Sequence, residues 1–188
     1  MSFFIYNERV AMLVKLEKWF DMISDWIGYL CSFLMIAMML TIFYDVFMRY
    51  LFKTGSVAFQ EMEWHLFSVI ILLGMSYALK EDAHVRVDIL YAHWSDKKKA
   101  LVNIIGACLF ITPIALLIAF GSIDFVMEAY RMHEISSDPG GLTHRWILKA
   151  FIPLSFGLLI FIAIGFVIKN INVYRGVHQA EKHKENIL

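Results

Sequence analysis

The sequence predicts an all-α integral membrane protein with four transmembrane helices preceded by an amphipathic interfacial helix. Three observations predict it. Long apolar runs lie at 26–44, 64–79, 101–123 and 150–168, each near the length that crosses a bilayer. The chain is 60% hydrophobic and only 18% charged, with a mean hydropathy of +0.63, which separates it from a soluble domain of its size. The five tryptophans, Trp19, Trp26, Trp64, Trp94 and Trp146, all flank apolar runs, where amphipathic rings sit at headgroup level.

The elements follow in order. In the N-terminal segment, 1–25, Leu13, Leu16, Phe20 and Ile23 share a helical face that Trp26 continues, with Lys15, Lys18, Asp21 and Asp25 opposite. That pattern predicts an amphipathic helix, lying in the cytoplasmic interface or extending the first span. A membrane domain, 26–170, holds spans at about 26–47, 63–80, 100–124 and 147–168, and a polar tail, 171–188, closes the chain. The first span ends on Asp45 and Arg49, four apart; an exposed pair of this kind contributes only about 0.3–0.5 kcal/mol, so Arg49 is a candidate contact for a partner or a lipid phosphate.

Glu61, Glu63 and Trp64 open the second span, and Gly74 with Ala78 gives it a small-residue face that permits close helix approach. It runs into a polar hook, 80–88, containing His84, Arg86 and Asp88, where an arginine can pair bidentately with a carboxylate or lipid phosphate. Pro113 and Pro153 should bend the third and fourth spans, because each removes an internal hydrogen bond. Ala115 with Ala119, and Gly157 with Gly165, offer further small-residue faces, and Asn103 and Ser68 are expected as interhelical donors. Cys31 and Cys108 lie within apolar runs as small fillers rather than a disulfide. No cleavable signal peptide is expected, since the start lacks a basic region before its first long apolar run.

Formal net charge is zero, which points to no nucleic-acid partner; the distribution of charge informs more. Twelve of the 17 Lys and Arg residues fall before the first span, between the second and third, or in the tail, and five in the other two loops. The positive-inside rule then places both termini and the second loop in the cytoplasm. Charged residues cluster at the ends of the spans, whereas an autonomous carrier needs ionisable groups at the midplane and matched broken helices. No nucleophile motif, metal-ligand spacing or phosphate-cradling loop points to an enzyme or a cofactor.

Glu61, Met62, Glu63, Trp64, His65, Leu66 and Phe67, then Leu73, Gly74, Tyr77, Ala78 and Leu79, and then 84–88, resemble the small membrane subunit of tripartite ATP-independent periplasmic (TRAP) transporters. The outer loop is similar too, through Ser137, Asp138, Pro139, Gly140, Gly141 and Leu142, followed by Arg145, Lys149 and Pro153. The resemblance covers roughly 26–170. The family's paired acidic residues before the second span appear here as Gln60 and Glu61, so one of the two carries over.

The resemblance implies an accessory scaffold in the bacterial inner membrane, partnered by a large elevator-type membrane subunit, a periplasmic substrate-binding protein and membrane phospholipids. It also implies that sodium and organic-anion sites belong to the large subunit. Arg49, Glu61, Trp64, Gly74, His84, Arg86 and Asp88 are then candidates for subunit or lipid contact. Glu134, Asp138 and Arg145, in a loop shaped by Pro139, Gly140 and Gly141, are candidates for docking the binding protein. Two rivals stand beside it: a self-contained homo-oligomeric exporter, which would want an acid well inside a span, and a four-helix haem b protein. Of seven histidines only His65 lies within a span, at its end.

Overall fold

A computed structural model describes residues 2–81 and 93–176, with side chains from 12 onward. These residues include four helices long and apolar enough to cross a membrane, and no strand occurs among them. The hook residues His84, Arg86 and Asp88, and the tail histidines His178 and His183, lie outside the described residues.

Helix α1 runs from Ser2–Leu51 as one rod of 50 residues, about 75 Å at the α-helical rise. Between its ends the sequence holds no proline and a single glycine, Gly28, so nothing interrupts the backbone ladder. The amphipathic segment therefore continues into the first span without a turn. The helix stops where Lys53 adopts φ 54° and the Met48 carbonyl accepts from both Phe52 N–H at 3.1 Å and Thr54 N–H at 3.3 Å.

Helix α2, Val57–Lys80, returns across the membrane. Helix α3, Asp96–Arg131, contains a π turn over Ala107–Ile111 directly ahead of Pro113. The wider turn accommodates a ring that has no N–H to give, so the irregularity expected at Pro113 takes the form of a register shift. Helix α4, Trp146–Tyr174, passes through Pro153 unbroken.

Helix α4 packs against the other three, and α1 also packs on α2. One third of the most apolar stretch of α4 is buried, against 6% of that of α1. The stripe Ser155, Leu159, Ile162 and Phe166 on α4 repeats at helical spacing. Leu159 and Phe166 join Leu79, Ala107 and Ala115 in one cluster, while Ile27, Cys31 and Leu73 form a second between α1 and α2.

On α1 the buried positions among the residues with described side chains are Val14, Glu17, Phe20, Ser24, Ile27, Cys31 and, near its far end, Asp45. Only Phe20 of the apolar face read from sequence is among them, and Trp26 is 71% exposed. The reason is the solvent. An apolar face needs no protein cover in hydrocarbon, so the polar Glu17 and Ser24 can turn inward beside Val14, Phe20 and Ile27.

Close approach depends on glycine at two places. A Cβ at Gly165 would lie 2.5 Å from the Phe20 Cβ, and one at Gly28 would lie 2.7 Å from the Tyr77 ring. At Gly74 and Gly157 an added Cβ meets nothing within 4 Å; these two positions do not set a close helix approach within the chain.

Candidate functional site

The segment between α3 and α4 is a compact closed loop. Arg145 N–H donates to the Glu134 carbonyl at 3.1 Å and Ser136 N–H to the Leu142 carbonyl at 3.0 Å, which draws the two limbs together. At its tip Gly141 N–H donates to the Asp138 carbonyl at 3.0 Å, with Pro139 second and Gly140 third at φ 83°. That is the residue order a type II turn requires. His133 and His144, at φ 48° and 61°, reverse the backbone where the loop leaves α3 and enters α4.

Glu61 ties this loop to the start of α2. Glu61, buried near the start of α2, accepts from the Ser136 hydroxyl and from the Leu142 N–H, each a charge-assisted bond to a group the helices cannot satisfy. Gly141 makes room for it, since a Cβ there would lie 2.5 Å from the Ser136 Cβ and 2.8 Å from Glu61 Oε2. Beside it the Arg145 guanidinium lies 5.4 Å over the Trp64 ring, and Trp64 in turn packs on His65 with centroids 4.0 Å apart. His65 Nδ1 stands 2.6 Å from the Glu61 carbonyl, and Tyr130 meets Trp146 edge-on at 5.2 Å.

Five residues singled out in the sequence thus converge here: Glu61, Trp64, Glu134, Asp138 and Arg145. Their roles differ. Glu61 is directed into the chain's own loop, with both carboxylate oxygens engaged. The Glu134 carboxylate is taken by Lys149, whose ammonium also sits 3.9 Å over the Phe125 ring. Asp138 is exposed at the tip. Arg49 lies apart, bonded to Asp45 on its own helix, and Gly74 faces open space. Sequence reasoning missed Ser136 and the Leu142 amide, whose partner is 75 or more residues away.

At the opposite end, where α2 and α4 finish and α3 begins, polar side chains join helices in pairs. Lys80 holds Asp25 of α1 and lies 3.3 Å from Glu81. Asn172 donates to Glu17 at 2.8 Å, and Asn103 donates to Asn170 at 2.9 Å. Between the two ends, a cavity of about 430 Å³ opens between α1, α2 and α4, walled by Leu34, Leu66, Val69, Leu73 and Phe151 and rimmed by His65 and His144. Among the described residues no group of three or more His, Cys, Asp or Glu gathers as metal ligands.

The sequence model of the family described as "Tripartite ATP-independent periplasmic transporters, DctQ component" matches residues 38–172. A putative TRAP transporter small permease protein of Haemophilus influenzae is 26% identical over 125 residues, covering 66% of this chain and 73% of its own. The C4-dicarboxylate TRAP transporter small permease protein DctQ of Vibrio cholerae is 30% identical over 113 residues, 57% of this chain and 49% of that one. The sialic acid TRAP transporter permease protein SiaT of Haemophilus influenzae is 25% identical over 133 residues, 71% of this chain but 20% of its own.

Proposed function

Because the chain belongs to the family of DctQ components of tripartite ATP-independent periplasmic transporters, we propose that it is the small scaffold subunit of a sodium-coupled, binding-protein-dependent importer of organic anions in a bacterial inner membrane. Sodium and substrate bind in a large, elevator-type subunit, and this chain anchors that subunit's immobile part. The match to one fifth of the sialic acid permease supports a much larger membrane partner. The names of the Vibrio and Haemophilus relatives carry C4-dicarboxylate and sialic acid, both organic anions, which supports the substrate class. The charge asymmetry supports cytoplasmic termini and a periplasmic loop between α3 and α4.

One observation carries the docking role: that loop is folded in advance by Glu61. A preorganised surface loses little freedom when a partner binds. Asp138, exposed at the tip, is the contact residue; Glu134 and Arg145 hold the loop's shape through Lys149 and Trp64. The α2 surface at Gly74, where an added Cβ would meet nothing in this chain, receives a helix of the large subunit, and the hook residues His84, Arg86 and Asp88 belong to the same contact or to lipid.

The test is uptake into proteoliposomes that hold this chain and the large subunit, with the binding protein added at graded concentrations. Asp138→Lys should slow uptake when binding protein is scarce, by roughly three- to tenfold at low salt and less at high salt, as steered transient association requires. An unchanged dependence on binding-protein concentration, in a variant that still assembles, makes the loop a connector only.

A further inference from the structure

The cavity of about 430 Å³ between α1, α2 and α4 changes character along its length. On α2 its wall carries Met62, Leu66, Val69 and Leu73, one residue for each turn. Met62 and Leu73 stand about 16 Å apart along the axis at the α-helical rise, close to half of a hydrocarbon core of about 30 Å. Leu73 in turn lies roughly midway between Glu63 and Lys80, the charged residues at the two ends of that span. The cavity therefore reaches from one membrane surface to the middle, the depth of a single leaflet.

The polar side chains of its described wall, His65, Thr143 and His144, all belong to the loop end. Nδ1 of His65 donates to the Glu61 carbonyl at 2.6 Å, and Nδ1 of His144 lies 2.8 Å from the Thr143 hydroxyl, so Nε2 of each ring is the nitrogen left for a ligand. Below them the wall is apolar. Such a space offers water too few polar partners, and left empty it forfeits dispersion contacts. Measured against an apolar cavity of about 150 Å³ that admits benzene, it has room for roughly 17 carbons.

We propose that this cavity holds one acyl chain of a phospholipid from the leaflet beside the loop, with the glycerol end at His65 and His144 and the methyl end at Leu73. Bilayer hydrocarbon surrounds the four spans, so a lipid chain is the apolar group most abundant at the opening. A side chain from another helix would enter sideways and fill about one turn, whereas this wall repeats over three. Leu142, whose N–H donates to Glu61, is also part of the wall, so lipid and loop share a surface. The inference needs only that the chain spans a bilayer, and it stands apart from the transport role.

The purified full chain in mild detergent is mixed with dipalmitoylphosphatidylethanolamine, with glycerophosphoethanolamine, which has the headgroup and no chains, or with hexadecane, and what it retains is counted by native mass spectrometry. One phospholipid should outlast delipidation. Leu66→Trp and Val69→Phe, made separately, each put a larger side chain into the wall; a site that must hold both ring and lipid is overpacked, which should lower retention roughly tenfold or more. Either variant serves if its helix content and unfolding midpoint match the wild type. Leu117→Phe, at a position of α3 that is 74% exposed, should leave retention unchanged. In the delipidated wild-type chain, a phospholipid with a diazirine at the methyl end of one chain should crosslink to Leu73 or Phe151.

No phospholipid outlasting delipidation, retention untouched by a folded Leu66→Trp or Val69→Phe, or crosslinks confined to the exposed faces of α1 and α3 overturns the proposal. Glycerophosphoethanolamine held as well as the phospholipid overturns it in favour of a headgroup site, and hexadecane held as well overturns it in favour of an unselective apolar space. Retention lost equally in Leu117→Phe reduces the bound molecule to surface lipid.

Discussion

At one end of the four helices a 14-residue loop, 132–145, is hydrogen-bonded to α2 by one carboxylate, Glu61, through Ser136 and Leu142. At the other end three separate pairs, Lys80 with Asp25, Asn172 with Glu17 and Asn103 with Asn170, join helix to helix. The contrast follows from what each end must satisfy. Helices carry their own backbone hydrogen bonds, so side-chain pairs between them only fix rotation and register. A loop folded against a span has amides with no ladder to join, and a buried carboxylate takes the place of that ladder. At the loop end one carboxylate holds the two groups that the loop's own backbone bonds leave over; at the lysine-rich end the side-chain bonds are spread over three pairs.

The sharpest way to break that comparison is Glu61→Ala. It leaves the Ser136 hydroxyl and the Leu142 amide without their acceptor, and unsatisfied groups cost more than the bond was worth. The expected outcome is a loop cut by limited proteolysis roughly tenfold faster or more, as local opening becomes easier, with helix content unchanged. Glu61→Gln, which keeps one acceptor oxygen, should fall between. Wild-type cleavage in Glu61→Ala would mean that the Ser136–Leu142 and Glu134–Arg145 backbone bonds suffice.

Gly165→Ala perturbs the other end. Its new Cβ would meet the Phe20 Cβ and Cγ at 2.5 and 2.6 Å, close to the α1 backbone, so α1 must move away from α4. Overpacking of this kind costs about 1–3 kcal/mol, measurable as a lower unfolding midpoint in mild detergent. Loop cleavage should stay as in the wild type if the two ends are independent. Gly74→Ala is the matched control, since nothing in the chain lies within 4 Å of the added atom; it should leave the isolated chain unchanged.

These glycines also mark how far the sequence can be read. The four spans and the Pro139–Gly140 turn were legible because length, hydropathy and turn chemistry are local properties. Gly74 and Gly165 look alike in sequence, yet only Gly165 lets two helices close, because that depends on which residue arrives from 145 positions away. The helical period of α1 was legible as well, but not its inward face: with lipid as solvent, hydrophobicity no longer says which side packs, and Glu17 and Ser24 are buried while Trp26 is exposed. Glu61 stood out as an acid beside a span, and its partners in the loop were beyond reach for the same reason of distance.

The smallest effect tests whether the lysine-rich end is distributed in the sense argued. Asn103 Nδ2 donates to Asn170 Oδ1 at 2.9 Å, and Asn170 Nδ2 donates to the Phe166 carbonyl at 2.8 Å. Asn170 therefore has a second bond that survives loss of the first, and an alanine at 103 removes one contact among several. Interhelical hydrogen bonds in membranes couple by about 0.6 kcal/mol on average, because the separated helices find other partners. A double-mutant cycle of Asn103→Ala and Asn170→Ala, read from unfolding in mild detergent, should return a coupling of that size. Loop cleavage should not change in any of the four proteins. A coupling of 2 kcal/mol or more, above the largest values known for such bonds at about 1.7, would show that this end also depends on one interaction and would erase the contrast with Glu61.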